Sequence, residues 1–175
     1  MAGRRSLTKL RSCPAFAIAL VAMLAASGAL AAGCYDTDLG ERTPRFRLAG
    51  GEAHDGRTGL VWQRCSLGKI WNGSGCAGEI SYLGLDEAIA AAQGGWRVPS
   101  GPELESLVQL GCGSPVVDQS IFPDIRPDVE GRAKYWTTNP VGTLDLYWNF
   151  DFIDGQPDGN TRGIRLAVRL VRTGN

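Results

Sequence analysis

The densest set of ligand-type side chains is Asp154-x-Gln156-x-Asp158-Gly159, in an acidic stretch that follows Phe152. Its spacing imitates the start of an EF-hand calcium loop, with oxygen donors at the first, third and fifth positions and glycine at the sixth. The match fails at the twelfth position, where Arg165 replaces the bidentate glutamate, and Pro157 stiffens the middle. Asp154 and Asp158 are therefore candidate calcium ligands, and the competing reading is a hairpin turn rich in Gly, Pro and Asp. The chain's single histidine, His54, stands beside Asp55 and before Gly56 in what reads as a turn. No Gly-x-Ser-x-Gly elbow exists to present a nucleophile to it, so the residues predict no catalytic site. The cysteines contain no C-x-x-C pair and no Cys/His set with zinc spacing. Calcium is the sole cofactor for which the chain offers candidates.

These side chains must be positioned by elements that the periodicity outlines. Phe46-Arg-Leu48 and Leu60-Val-Trp-Gln63 are short strand candidates on either side of the His54-Asp-Gly56 turn. Leu85, Ala88, Ile89 and Ala92 share one helical face, with Asp86 and Glu87 in the first turn to complement the helix dipole. A second helix is announced by the capping box Ser100-x-x-Glu103, with Leu104, Leu107 and Val108 as its buried stripe and Gly111 as C-terminal cap. Tyr135–Thr138 and Tyr147–Phe152 read as strands, as does Ile164–Leu170, whose apolar residues alternate with Arg165, Ala167 and Arg169. Residues 111–134 carry no period and read as an irregular loop of functional size. Strands and helices come in blocks rather than as βαβ units. That predicts α+β, a small antiparallel sheet with two helices and long irregular loops.

The first thirty-one residues read as a signal peptide. Arg4, Arg5, Lys9 and Arg11 form a positive region, Ala15 to Leu30 is a small or apolar run, and Ala29-Leu30-Ala31 is a cleavage site. The run is shorter than the ~20 residues that span a bilayer. Residues 32–45 form a turn-rich lead-in, and 46–175 make one domain. Removal of residues 1–31 leaves fourteen basic and eighteen acidic residues, a net charge of −4, with no basic stripe. That argues against nucleic acid as a partner. The expected location is periplasmic or extracellular. Leu30-Ala-Ala-Gly-Cys34 also approximates a lipoprotein box, so a lipid anchor at Cys34 stays open as the alternative.

Four ordered motifs carry a family resemblance: Thr58-Gly-Leu-Val-Trp-Gln-Arg-Cys65, Gly95-Trp-Arg-Val-Pro-Ser100 running into Glu103-Leu-Glu-Ser-Leu-Val108, Tyr135-Trp-Thr-Thr138, and Val168-Arg-Leu-Val-Arg172. Together, over about Phe46 to Arg172, they resemble the C-terminal domain of the collagen-like adhesin Lcl, a bacterial family. The resemblance implies a C-type-lectin-like fold and a non-catalytic head that recognises polysaccharides. The chain departs from that pattern in having no Gly-x-y stalk. Paired cysteines at similar positions are frequent in the family. With an even set left after signal removal, the expected bridges are Cys65–Cys76 and Cys34–Cys112. Gln156-Pro-Asp158 is the triplet that galactose-type C-type lectins use for calcium and sugar. Here Trp148-Asn149 precedes it rather than following, and the aspartate is displaced to Asp151.

The functional expectation is a secreted or periplasmic module that binds a glycan or another extracytoplasmic ligand. Protein recognition or a structural envelope role is the alternative, and an enzyme of the formylglycine-generating type is more remote. The expected binding residues lie in two loops, 139–145 and 151–160, namely Asn139, Asp145, Asp151, Asp154, Asp158 and Asn160. Trp71 is expected to be an exposed ring in the loop bracketed by Cys65 and Cys76. Trp62, Trp96, Trp136 and Trp148 read as core.

Overall fold

A computed structural model describes residues 45–174, which lie within one compact unit. The signal segment, the lead-in up to Pro44 and Cys34 lie outside the described residues, and with them the Cys34–Cys112 pairing and the lipid alternative. Cys112 itself is bonded through a disulfide.

The elements run β1 (Phe46–Ala49), β2 (Glu52–Asp55), β3 (Leu60–Gln63), β4 (Ile70–Trp71), β5 (Cys76–Ala77), α1 (Leu85–Ala91) and α2 (Gly101–Glu105). After a 3-10 turn at Leu110–Cys112 come β6 (Lys134–Pro140), β7 (Leu146–Asp151), β8 (Gln156–Thr161) and β9 (Val171–Thr173). The described strands form antiparallel sheets in the orders β1-β2-β3-β9, β4-β5 and β6-β7-β8. This is an α+β arrangement, as the block order of the sequence predicts.

Strand β6 divides the core because successive residues of a strand face opposite sides. Tyr135 joins the cluster of Phe46, Trp62, Leu104, Phe122, Phe150 and Phe152, while its neighbour Trp136 joins Leu85, Ala88, Val98, Leu166 and Val168. Trp136 also donates from its indole to the Leu83 carbonyl at 2.8 Å. Beneath the first cluster, the buried Arg169 guanidinium pairs with Asp124 at 2.6 Å and donates to the Ser66 hydroxyl, which shares a hydrogen bond with the Tyr135 hydroxyl. Burial pushes the Asp124 carboxyl up, but the Arg169 charge and hydrogen bond, with the Ser66 amide, bring it below the usual carboxylate range.

Several expectations are corrected here. His54 lies on β2 and not in a turn, because the chain reverses earlier, at Gly50–Gly51, and again after Asp55. Its Nδ1 meets Arg47 at 3.1 Å and its Nε2 lies 3.3 Å from Glu52. The expected strand Ile164–Leu170 makes only isolated bridges at Leu166 and Ala167, the strand β9 begins just beyond it at Val171, and Leu166 through Val171 is buried. Arg169 breaks the expected alternation because Asp124 neutralises it inside the core. The loop expected at 111–134 starts within the 3-10 turn and ends on β6; between them, 113–133 is irregular as expected, yet it is structural. It supplies Val117, Ile121, Phe122 and Ile125 to the core, where contacts made one residue at a time leave no period to read. Helix α2 ends at Glu105 with Ser106 as its cap, so Gly111 is not the cap. Ile89 of α1 is exposed, the helix being too short to bury two turns of its face.

Candidate functional site

Helix α2 packs against β6 and β7, and a groove of about 310 Å³ opens between the helix and the third sheet. The helix is placed by its cap. Ser100 Oγ accepts from the Glu103 amide at 3.4 Å, and Glu103 Oε2 accepts from the Ser100 amide at 2.7 Å. Arg97 grips the same carboxylate at 2.7 Å, and this bond above all holds the Glu103 carboxyl down at about 2. Asn139 of β6 then ties sheet to helix, its Oδ1 accepting from the Gly101 amide at 2.7 Å.

Three kinds of surface meet in the groove. The Trp148 ring on β7, 37% exposed, offers an aromatic face. Pro102, Pro140 and Pro157 supply apolar walls whose backbone angles are fixed by their rings. Glu105 is the sole ionisable residue among those lining the groove, and among the described residues it makes no salt bridge or side-chain hydrogen bond. The Asn139 side-chain amide nitrogen is likewise without a partner there. Thr137 also lines the groove, but its hydroxyl is committed, donating to the Trp148 carbonyl at 2.7 Å and accepting from the Asn139 amide at 3.2 Å.

The expected site residues are only partly brought together. Asn139 lines the groove. Asp145 stands exposed in the β6–β7 turn, 3.3 Å from Arg162. Asp154 lies in the β7–β8 turn, 3.6 Å from Arg132, and Asp158 is 2.5 Å from Lys134. The Lys134 hydrogen bond holds the Asp158 carboxyl below its ordinary value. Asp158 and Asn160 sit on β8, paired with Asn149 and Tyr147, so the expected loop at 151–160 is strand, turn and strand. Pairing with β7 overrides the poor strand propensity of this sequence, and the edge position tolerates Pro157. Asp151 is 2% exposed and accepts from the Ala133 and Ile153 amides at 2.9 and 3.0 Å. It is a structural carboxylate, not a loop tip.

The strand also breaks the resemblance to a calcium loop, because an extended backbone does not wrap donors around an ion. Asp158 pairs with Lys134 while Asp154 shares Arg132 with Asp151, and among the described residues no group of three or more His, Cys, Asp or Glu side chains is placed to hold a metal.

The tryptophans need reassignment. Trp62 and Trp136 are core, as expected. Trp148 is not: it is partly exposed in the groove, opposite Gly159 of β8, which has no side chain to cover it. Trp96 is half-buried, packed on the second cluster with the Arg172 guanidinium 5.0 Å from its ring centroid. Trp71 is covered rather than free. The Arg64 guanidinium lies 3.7 Å from its ring centroid, and Gly51 approaches so closely that a Cβ there would meet the Trp71 Cβ at 3.0 Å. Trp71 is not among the residues that line the groove.

Its hairpin does form as expected. Cys65 and Cys76 are bridged, and Asn72 Oδ1 accepts from the amides of Ser74 and Gly75 across a turn in which Gly73 takes φ of +103°. Glu105 and the groove role of Trp148 were missed in the sequence. The buried stripe Leu104–Leu107 does imply that Glu105 points elsewhere, but not which strand it faces.

Among the described residues no helix is long and apolar enough to cross a membrane. No curated protein matches the chain. The Lcl C-terminal domain family model matches residues 51–172, which takes in α2, all three groove strands and the disulfide hairpin. That span is well over half of the sequence, and the chain belongs to the Lcl C-terminal domain family.

Proposed function

We propose that this chain is a non-catalytic module that acts outside the cytoplasm and holds a saccharide in the groove between α2 and the third sheet. The observation that carries the reading is Trp148, a partly exposed ring beside an uncommitted carboxylate and an uncommitted amide in one groove. Flat aromatic faces stack on the C–H face of a sugar ring, while carboxylates and amides hydrogen-bond its hydroxyls. The volume lies at the lower end of ~300–1,000 Å³ for small-molecule sites. The C-type-lectin-like fold belongs to the same proposal, supported by the family and by antiparallel sheets joined through long irregular segments.

The absence of catalysis is also part of the proposal. Glu105 has no second titratable partner in the groove, and the Thr137 hydroxyl already donates to a carbonyl, so no nucleophile and base stand together there. Export is supported by the signal-like N-terminus and by the Cys65–Cys76 disulfide, which is compatible with an oxidising compartment.

A glycan array with the purified chain, run with and without calcium and in parallel with Trp148→Ala, tests the reading. Saccharides bound by the parent and lost by a variant that still melts cooperatively above the assay temperature support it. An array with no hits, or hits retained by Trp148→Ala, contradicts it. Binding that needs calcium would require Asp154 and Asp158 to exchange Arg132 and Lys134 for the ion, or a metal site elsewhere.

A further inference from the structure

The charge of the groove narrows the ligand class. A polyanionic glycan needs cations at its sulfates or carboxylates, and none of the residues lining this groove is basic. Cations that flank the groove's helix and strands in the chain already hold carboxylates: Arg97 pairs with Glu103, Lys134 with Asp158, and Arg162 with Asp86 and Asp145. The one charge that the groove presents is the Glu105 carboxylate, which no cation of the described residues answers. An exposed aromatic face beside an unanswered carboxylate is also the pairing that attracts an ammonium group, through the ring quadrupole and through Coulomb attraction together.

We infer that the groove is selective for amine-bearing sugar residues, with the pyranose face on Trp148, the ammonium at Glu105 and a hydroxyl on the Asn139 side-chain amide. The inference rests on the saccharide reading above and adds the ligand's charge. A lysine side chain shares the ammonium, but it has no hydroxylated ring to use both the Trp148 face and the free Asn139 donors. The proline walls and the Asn139–Gly101 bond shape the groove in advance, which lowers the ordering cost of binding a small polar ring.

Calorimetric titration separates the possibilities. The purified chain, Glu105→Gln and Trp148→Ala are each titrated at about pH 6, where amines are protonated. The ligands are a fully deacetylated chito-oligosaccharide tetramer, its N-acetylated counterpart and tetralysine. The expected result is at least about tenfold tighter binding of the deacetylated tetramer than of the N-acetylated one. Glu105→Gln should bring the two within about twofold, and Trp148→Ala should weaken both.

Equal or tighter binding of the N-acetylated tetramer, or a preference that survives Glu105→Gln, overturns the inference. If Trp148→Ala still weakens binding in that case, the saccharide reading stands. Loss of neither tetramer's binding in Trp148→Ala, or no binding at all, overturns both. Tetralysine bound with the same dependence on both residues, while the saccharides are not, assigns the groove to protein instead. Both positions are at least partly exposed, so both variants are expected to fold, Glu105→Gln melting close to the parent and Trp148→Ala a few degrees lower but still cooperatively, and cooperative melting above the titration temperature serves as the folding control.

Discussion

At the scale of single residues, position within a strand decides what an aspartate or a tryptophan can do. Asp151 and Asp145 stand six residues apart, yet one holds two backbone amides in the interior and the other faces water. Asp151→Ala should lower unfolding free energy by about 1–3 kcal/mol, because it strands the buried Ala133 amide and the half-buried Ile153 amide. Asp145→Ala should change it by less than about 0.5 kcal/mol, as exposed ion pairs contribute little. Urea unfolding of the two variants checks the contrast. Among the tryptophans, Trp136→Ala should cost about 3–5 kcal/mol, since it empties a fully buried site, whereas Trp148→Ala, at a site 37% exposed, should cost about 1–2 kcal/mol. The sequence could not separate these residues. Trp136 and Trp148 have the same side chain in similar strand contexts, and only their tertiary neighbours distinguish them, an apolar cluster around Trp136 and Gly159 opposite Trp148. A buried Arg169 was hidden for a related reason, because its partner Asp124 comes from a stretch with no period.

At the scale of elements, local chemistry was legible and endpoints were not. The capping box at Ser100 was readable because both of its bonds are made within four residues. Strand β8 was unreadable because its sequence is that of a turn and only β7 makes it extended. The cap also responds to acid. Glu103 in the folded chain titrates at about 2, against an ordinary 4.5, chiefly through Arg97. A depressed folded value means that this contribution is complete above about pH 4.5 and is lost as pH falls towards 2. Melting temperature measured across that window should fall less steeply in Glu103→Gln than in the parent. Ser100→Ala should cost about 1 kcal/mol at neutral pH, by removing the acceptor for the Glu103 amide.

At the scale of the whole molecule, side chains from distant positions hold the irregular segments down. Arg64 donates to the Ser120 and Ile121 carbonyls, and Asp124 accepts from the Ser66 amide. Both contacts pin the 113–133 segment beside the disulfide hairpin. The Cys65–Cys76 bridge spans eleven residues. Replacing both cysteines by serine should lower unfolding free energy by up to about 3 kcal/mol in the chain-entropy view. The effect on saccharide binding should be small, since Trp71 and its hairpin do not line the groove. The α+β class and the family were visible in block order and in the four motifs. The groove was not, because its walls come from α2, β6, β7 and β8, which no local pattern brings together.

The central claim is that ligand enters between α2 and β7. Tryptophan indole resonances, assigned by substitution and followed by NMR while the strongest array saccharide is titrated, test it most directly. The account predicts that the Trp148 indole signal shifts and saturates with the ligand while those of Trp71 and Trp96 stay in place. A Trp71 signal that moves while Trp148 is silent would place the site at the disulfide hairpin and contradict the account.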